Sequence, residues 1–81
     1  MKPESIKFPQ YRRYKNGLSY FKILSLTEFE EIKLVGDKAV KQCVVAKQYP
    51  EMVFINDLLF KYHDFADLIS EEKYLEVRPS R

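Results

Sequence analysis

Cys43 and His63 are the only thiol and the only imidazole in the chain. Together they raise the question of nucleophilic catalysis. A Cys–His nucleophile needs both groups within hydrogen-bond reach and a third group to orient the base. Asp64 follows His63 directly in sequence and is badly placed to orient it. Cys43 therefore reads as a small apolar core residue, and His63 as a surface residue near the end of a helix. One Cys and one His also fall short of a zinc ligand set. Glu28, Glu30 and Glu31, and Glu71 and Glu72, could suggest acid/base pairs. Each group opens a predicted helix, where acids stabilise the macrodipole. The only glycines are Gly17 and Gly36, so there is no phosphate-cradling loop. The expectation is a non-enzyme with no catalytic residue, no cofactor and no metal.

One constellation suggests binding. Tyr11, Arg13, Lys15, Tyr20 and Lys22 fall on one face of a predicted hairpin. Cations there can neutralise phosphates while tyrosines stack on bases. The plain structural reading is a solvated sheet face with a cross-strand cation–π pair between Arg13 and Tyr20. Charge is polarised along the chain. Residues 1–24 hold six basic residues against Glu4 alone, whereas residues 25–81 hold eight basic and eleven acidic ones. The net charge of +2 is too small to argue for a nucleic-acid binder by itself.

That face depends on the hairpin at Tyr11–Leu24. Asn16-Gly17 lies between two runs rich in aromatic and β-branched residues, which predicts a two-residue type I′ turn. Strands near 10–15 and 18–24 then pair Arg13 with Tyr20, Arg12 with Phe21, Tyr11 with Lys22 and Gln10 with Ile23. The face with Phe21, Ile23 and Tyr14 is assigned to the core. Arg12 shares that face and is expected to snorkel, stem buried and head wet.

A two-stranded hairpin is marginal in water, so the remaining chain must cover it. Ser25-Leu26-Thr27-Glu28 has the form of a capping box, with Leu24 and Phe29 at staple positions, and predicts a short helix ending at Gly36. Lys38 to Tyr49 fits either a strand or a helix capped by Asp37; its Val and Cys content favours strand. Pro50 and Glu51 suit a first helical turn. Met52, Ile55, Leu59 and Tyr62 recur at helical spacing, which predicts a helix over 50–62. The alternative is a strand at 52–55 and a helix capped by Asn56. Residues 64–69 allow a short strand. Ser70 opens a last helix, with Ile69 and Tyr74 at staple positions and Pro79 as its stop. The Ser25 and Ser70 starts look alike, which reflects common helix-start chemistry more than an internal duplication.

The expected fold is α+β: a small antiparallel sheet seeded by the hairpin, with about three short helices on one face. Residues 1–9 form an N-terminal arm and 10–78 one compact domain. The expected core is Phe21, Ile23, Phe29, Ile32, Val44, Ile55, Leu59 and Ile69, with Leu68 or Tyr74. The hairpin's first strand is a candidate sheet edge blunted by Arg12, Arg13 and Lys15.

Four segments resemble a small family of uncharacterised bacterial proteins: Tyr14-Lys15-Asn16-Gly17, Ser19-Tyr20-Phe21-Lys22-Ile23, Glu28-Phe29-Glu30-Glu31 and Ala46-Lys47-Gln48-Tyr49-Pro50-Glu51. The resemblance implies a bacterial, cytoplasmic, compact α+β domain. It supplies no activity and no site residues.

The chain has 81 residues, 46% of them apolar, with six Tyr and six Phe. That composition belongs to a folded domain. The lone cysteine rules out an intramolecular disulfide. Residues 1–5 lack the apolar stretch of a signal peptide, and no apolar run reaches the ~20 residues of a membrane span. The expectation is a cytoplasmic protein and a monomer or weak dimer. The expected function is a small interaction domain with a protein partner or weak self-association. The alternative is a nucleic-acid-binding accessory protein that uses the basic–aromatic hairpin face.

Overall fold

The computed structural model describes residues 7–77. Residues 1–6 of the expected arm over 1–9, and the Pro79 helix stop, lie outside these. β1 (Gln10–Tyr14), β2 (Ser19–Ser25), β3 (Glu28–Val35) and β4 (Lys38–Val45) run consecutively. Helix α1 (Tyr49–Phe60), a 3-10 turn (Tyr62–Asp64), β5 (Ala66–Leu68) and helix α2 (Glu71–Val77) follow. The strands form one antiparallel sheet in the order β4-β3-β2-β1-β5. The α+β class and the antiparallel sheet are as expected. β1 is interior rather than an edge, because β5 returns to pair with it. The edges are β4 and β5.

The β1–β2 register matches the expected one, from Gln10–Ile23 to Arg13–Tyr20. The turn chemistry differs. A type I′ turn needs φ > 0 at both central residues. Among the described residues only Gly17 (φ 75°) and Gly36 (φ 62°) are positive. The Gly17 amide donates to the Tyr14 carbonyl at 2.8 Å, and the Leu18 amide donates to Asn16 Oδ1 at 2.8 Å. Asn16 thus serves through its side chain, as Asx turns do, and Gly17 alone takes the left-handed position.

Residues 25–36 are not a helix. Ser25 Oγ accepts the Thr27 amide at 3.1 Å, so the expected cap closes a tight hairpin turn into β3. Leu24 is left without a partner where the β2–β3 register shifts between Ile23 and Ser25. Gly36 serves the β3–β4 turn rather than a helix end. The misreading has a physical cause. Phe29 and Ile32 lie three apart, which in a helix is one face but in a strand is two. Both sheet faces are covered here, so both residues are buried.

The helices are therefore not on one face. Successive strand residues point to opposite sides. Phe21, Ile23 and Phe29 pack with Ala46 and with Ile55, Leu58 and Leu59 of α1. Tyr20 and Ile32 pack with Tyr74 of α2. Among the described residues there are two α-helices and one 3-10 turn. The strand expected within 38–49 is present over Lys38–Val45, with Tyr49 opening α1 instead, and the helix beginning near residue 50, the short strand within 64–69 and the helix after Ser70 are present. Ser70 Oγ accepts the Lys73 amide at 3.2 Å, the N-cap bond of α2.

The core holds the expected Phe21, Ile23, Phe29, Ile32, Ile55, Leu59 and Tyr74 as buried residues. Val44 and Ile69 are half-buried against it. Leu68 is 60% exposed, so Tyr74 is the member of that pair that enters the core.

Candidate functional site

The five hairpin residues do share a side of the sheet, but they do not form an open basic face. Tyr20 is 8% exposed and lies beneath Tyr74 of α2. The Tyr11 ring packs on Tyr74 with centroids 5.3 Å apart. Lys15 Nζ donates to Asp67 Oδ1 at 2.9 Å, and Arg13 Nη2 lies 3.7 Å from Asp67 Oδ2. The lysine holds the Asp67 carboxyl below its ordinary range, with Arg13 assisting. Lys22 stands between Tyr11 and Glu30 in register and is half-buried. Their tyrosines are packing surface for α2, and two of the three cations already meet a carboxylate.

Arg12 departs furthest from expectation. Its guanidinium is not wet: the residue is 3% exposed. Nε donates to the Leu58 carbonyl at 2.8 Å, Nη2 to the Leu59 carbonyl at 3.5 Å and Nη1 to its own neighbour Tyr11's carbonyl at 2.8 Å. The Tyr62 ring lies 4.3 Å from its central carbon. The last carbonyls of a helix lack intrahelical donors and carry negative partial charge. Arg12 satisfies them where α1 itself has no basic residue in its last turn. Burial pulls its pKa down from the ordinary arginine value.

On the opposite sheet face a second buried charge appears. Glu30 is 7% exposed. Tyr74 donates to its Oε1 at 2.7 Å, Cys43 Sγ lies 3.8 Å from Oε2, and Lys41 Nζ lies 3.7 Å from Oε2. Burial, then the charges of Glu71 and Glu30, push the Tyr11 hydroxyl up. Cys43 is exposed, not the core residue expected, because it lies on β4, an edge strand of the sheet, opposite Glu30. His63 stacks on Tyr62 at 4.3 Å between centroids. The Glu30 cluster ties α2 to the sheet. Among the described residues no group of three or more His, Cys, Asp or Glu could hold a metal. A shallow hollow between β3 and β4 is lined by Glu31, Lys33, Val40 and Gln42.

The remaining distinctive surface is the outer side of α1. Tyr49 (78% exposed), Met52, Val53 and Phe60 all face solvent. With exposed Asn56 they recur at i, i+3, i+4, i+7 and i+11, one stripe along the helix. Ile55, Leu58 and Leu59 form the buried stripe on the other side. Met52, expected on the inner stripe, lies on the outer one. The helix is apolar around most of its circumference, the pattern of a helix covered on more than one side. The outer stripe carries no charge, although 32% of the chain is charged. Its signal was present in the sequence, but tracing a single stripe conceals it.

Comparisons with protein-family models, with curated proteins and with solved structures found no match. No helix among the described residues is long and apolar enough to cross a membrane.

Proposed function

We propose that this chain is a small non-catalytic interaction domain that engages a protein through the outer face of α1. The observation that carries this reading is the uncharged stripe of Tyr49, Met52, Val53, Asn56 and Phe60. Contiguous exposed apolar surface rimmed by polar residues marks interaction sites. Aromatic residues and Met are the types enriched in interface cores, and charges are depleted there. The sheet supplies a rigid platform. The buried stripe of α1 and the Arg12 cap fix the helix, so little ordering accompanies binding.

Catalysis forms no part of the reading. Cys43 is read as an exposed β4 residue beside Glu30, and His63 as the partner of the Tyr62 stack. The resemblance to uncharacterised bacterial proteins is compatible with this role and adds no residue to it.

The test is affinity purification from the cells that make the chain, followed by reconstitution with the purified partner. Wild type is set beside Met52→Glu/Phe60→Glu and a control, Glu72→Lys, on α2. Retention by wild type and control, with loss by the double variant at unchanged melting temperature, is the expected result. Equal retention by all three would overturn the reading. So would a gel shift with random DNA or RNA at about 50 mM salt that is lost on Lys15→Ala and Lys22→Ala, since phosphate contacts show most clearly at low salt.

A further inference from the structure

We propose that the outer stripe of α1 pairs with the same stripe of a second copy of this chain, about a two-fold axis passing beside Asn56. This identifies the partner of the interaction surface above and rests on that reading.

Two features of the stripe favour a copy of itself, and a third sets the strength of the pair. The first is charge. Tyr49, Met52, Val53, Asn56 and Phe60 present no ionised group. A strongly charged partner would bury ions against an apolar surface, which is costly without counter-charges. An equally uncharged stripe carries no such cost. The second is the place of Asn56. It is the one amide in the stripe, with Val53 and Met52 three and four residues before it and Phe60 four after it. A buried amide needs hydrogen-bond partners. A two-fold axis at Asn56 brings the partner's Asn56 opposite, and an amide both donates and accepts, so the pair satisfies itself. A lone Asn within an apolar helix seam sets register and partner number in just this way. An isologous interface requires such self-complementarity of one patch.

The third is area. A helix of 12 residues is about 18 Å long. Two helix faces of that length and about 10 Å wide make a contact smaller than the ~1,200 Å² at which standard-size interfaces begin. The pair is therefore weak, with a dissociation constant on the order of 100 μM. At that strength the molecule exchanges between one and two copies, and the same stripe remains available in the monomer.

The experiment is sedimentation equilibrium of the full chain from about 5 μM to about 1 mM, a range that brackets a weak interface. The weight-average mass should rise from one chain toward two. Asn56→Asp places like charges across the axis and should keep the chain monomeric throughout at pH 7, with dimer returning near pH 4 as the carboxyls take up protons. Cys43→Ala/Asn56→Cys, oxidised with glutathione disulfide, should give a disulfide-linked dimer at least tenfold faster than Cys43→Ala/Glu72→Cys. A wild type that stays monomeric at 1 mM overturns the proposal. An undiminished dimer in Asn56→Asp also overturns it, because the contact would then lie elsewhere, for instance at β4. A monomeric wild type whose partner is still lost on Met52→Glu/Phe60→Glu removes self-pairing and leaves the interaction surface standing.

Discussion

At the residue scale, Phe21 and Arg12 are cross-strand neighbours on the same face of the sheet, and the chain treats both as core. Phe21 contacts the Tyr14, Phe29 and Phe54 rings at centroid distances of 4.9–6.0 Å. Phe21→Ala should cost about 3–5 kcal/mol in urea unfolding. A loss below about 1 kcal/mol, the usual scale of surface changes, would contradict its burial. Arg12→Met keeps most of the stem and removes the donors. It leaves the Leu58 and Leu59 carbonyls buried and unpaired, so a loss of roughly 1–3 kcal/mol is expected. Recovery of most of that stability by Arg12→Lys would show that charge alone, without the planar fork, suffices. Burial raises the hydroxyl pKa of Tyr11 and Tyr14, reinforced by Glu71 and Glu30 for Tyr11 and by Glu31 for Tyr14. The unfolded chain then releases these protons first. Stability is fully present below pH ~10, the ordinary tyrosine value, and falls as pH rises through the raised folded values. Urea midpoints at pH 8, 10 and 11 should show this, with a shallower decline in Tyr14→Phe.

At the element scale, two of the three hairpin turns, β1–β2 and β3–β4, each rest on a single glycine. A Cβ at Gly17 or Gly36 would meet nothing within 4 Å, so space is not limiting. The left-handed backbone is. Gly17→Ala and Gly36→Ala should each cost about 1–2 kcal/mol, read from thermal or urea midpoints. A neutral result would mean the turn had changed type. Helix α2 is held by the Ser70 cap, by Tyr74 in the core and by the Tyr74–Glu30 hydrogen bond. Tyr74→Phe keeps the ring and removes one donor from a buried carboxylate, at a cost of roughly 1–3 kcal/mol. Hydrogen exchange should then show α2 amides opening before those of β2 and β3. If α2 protection is unchanged, the hydrogen bond does not anchor the helix.

At the scale of the whole molecule, a sheet of five strands is covered on one face by α1 and on the other by α2. Two thin cores share it, which is how a chain of 81 residues buries aromatic side chains on both sides of β2 and β3. β4 is an eight-residue edge, and Lys38 and Lys41 give it the charges that discourage strand-to-strand pairing. The outer stripe of α1 has no such protection. Cys43→Ala and His63→Ala are expected to leave fold and biological activity intact, measured by melting temperature and by partner retention. Loss of activity in either variant at an unchanged melting temperature would reopen catalysis.

Local chemistry alone settled the first hairpin and its register, because turn residues and strand alternation there act over a few positions. It also settled α2, where Ile69, Ser70 and Tyr74 form a start signal within six residues. The strand at β4 followed from its β-branched content. Ser25 to Glu28 carried an equally good start signal and went into a hairpin, since a hydroxyl that accepts a nearby amide can close either structure. What decided between them was the second covered sheet face, a fact that no residue within 25–36 encodes. Arg12 and Glu30 were invisible as buried charges for the same reason. Their partners, the Leu58 and Leu59 carbonyls and the Tyr74 hydroxyl, lie 46, 47 and 44 residues away in sequence and meet them only when the chain closes. The basic–aromatic hairpin face was legible residue by residue. That α2 would lie across its tyrosines, and that Asp67 would take two of its cations, depended on β5 returning to pair with β1. Long-range pairing of that kind is set by the packing of the whole molecule, and local propensity does not reach it.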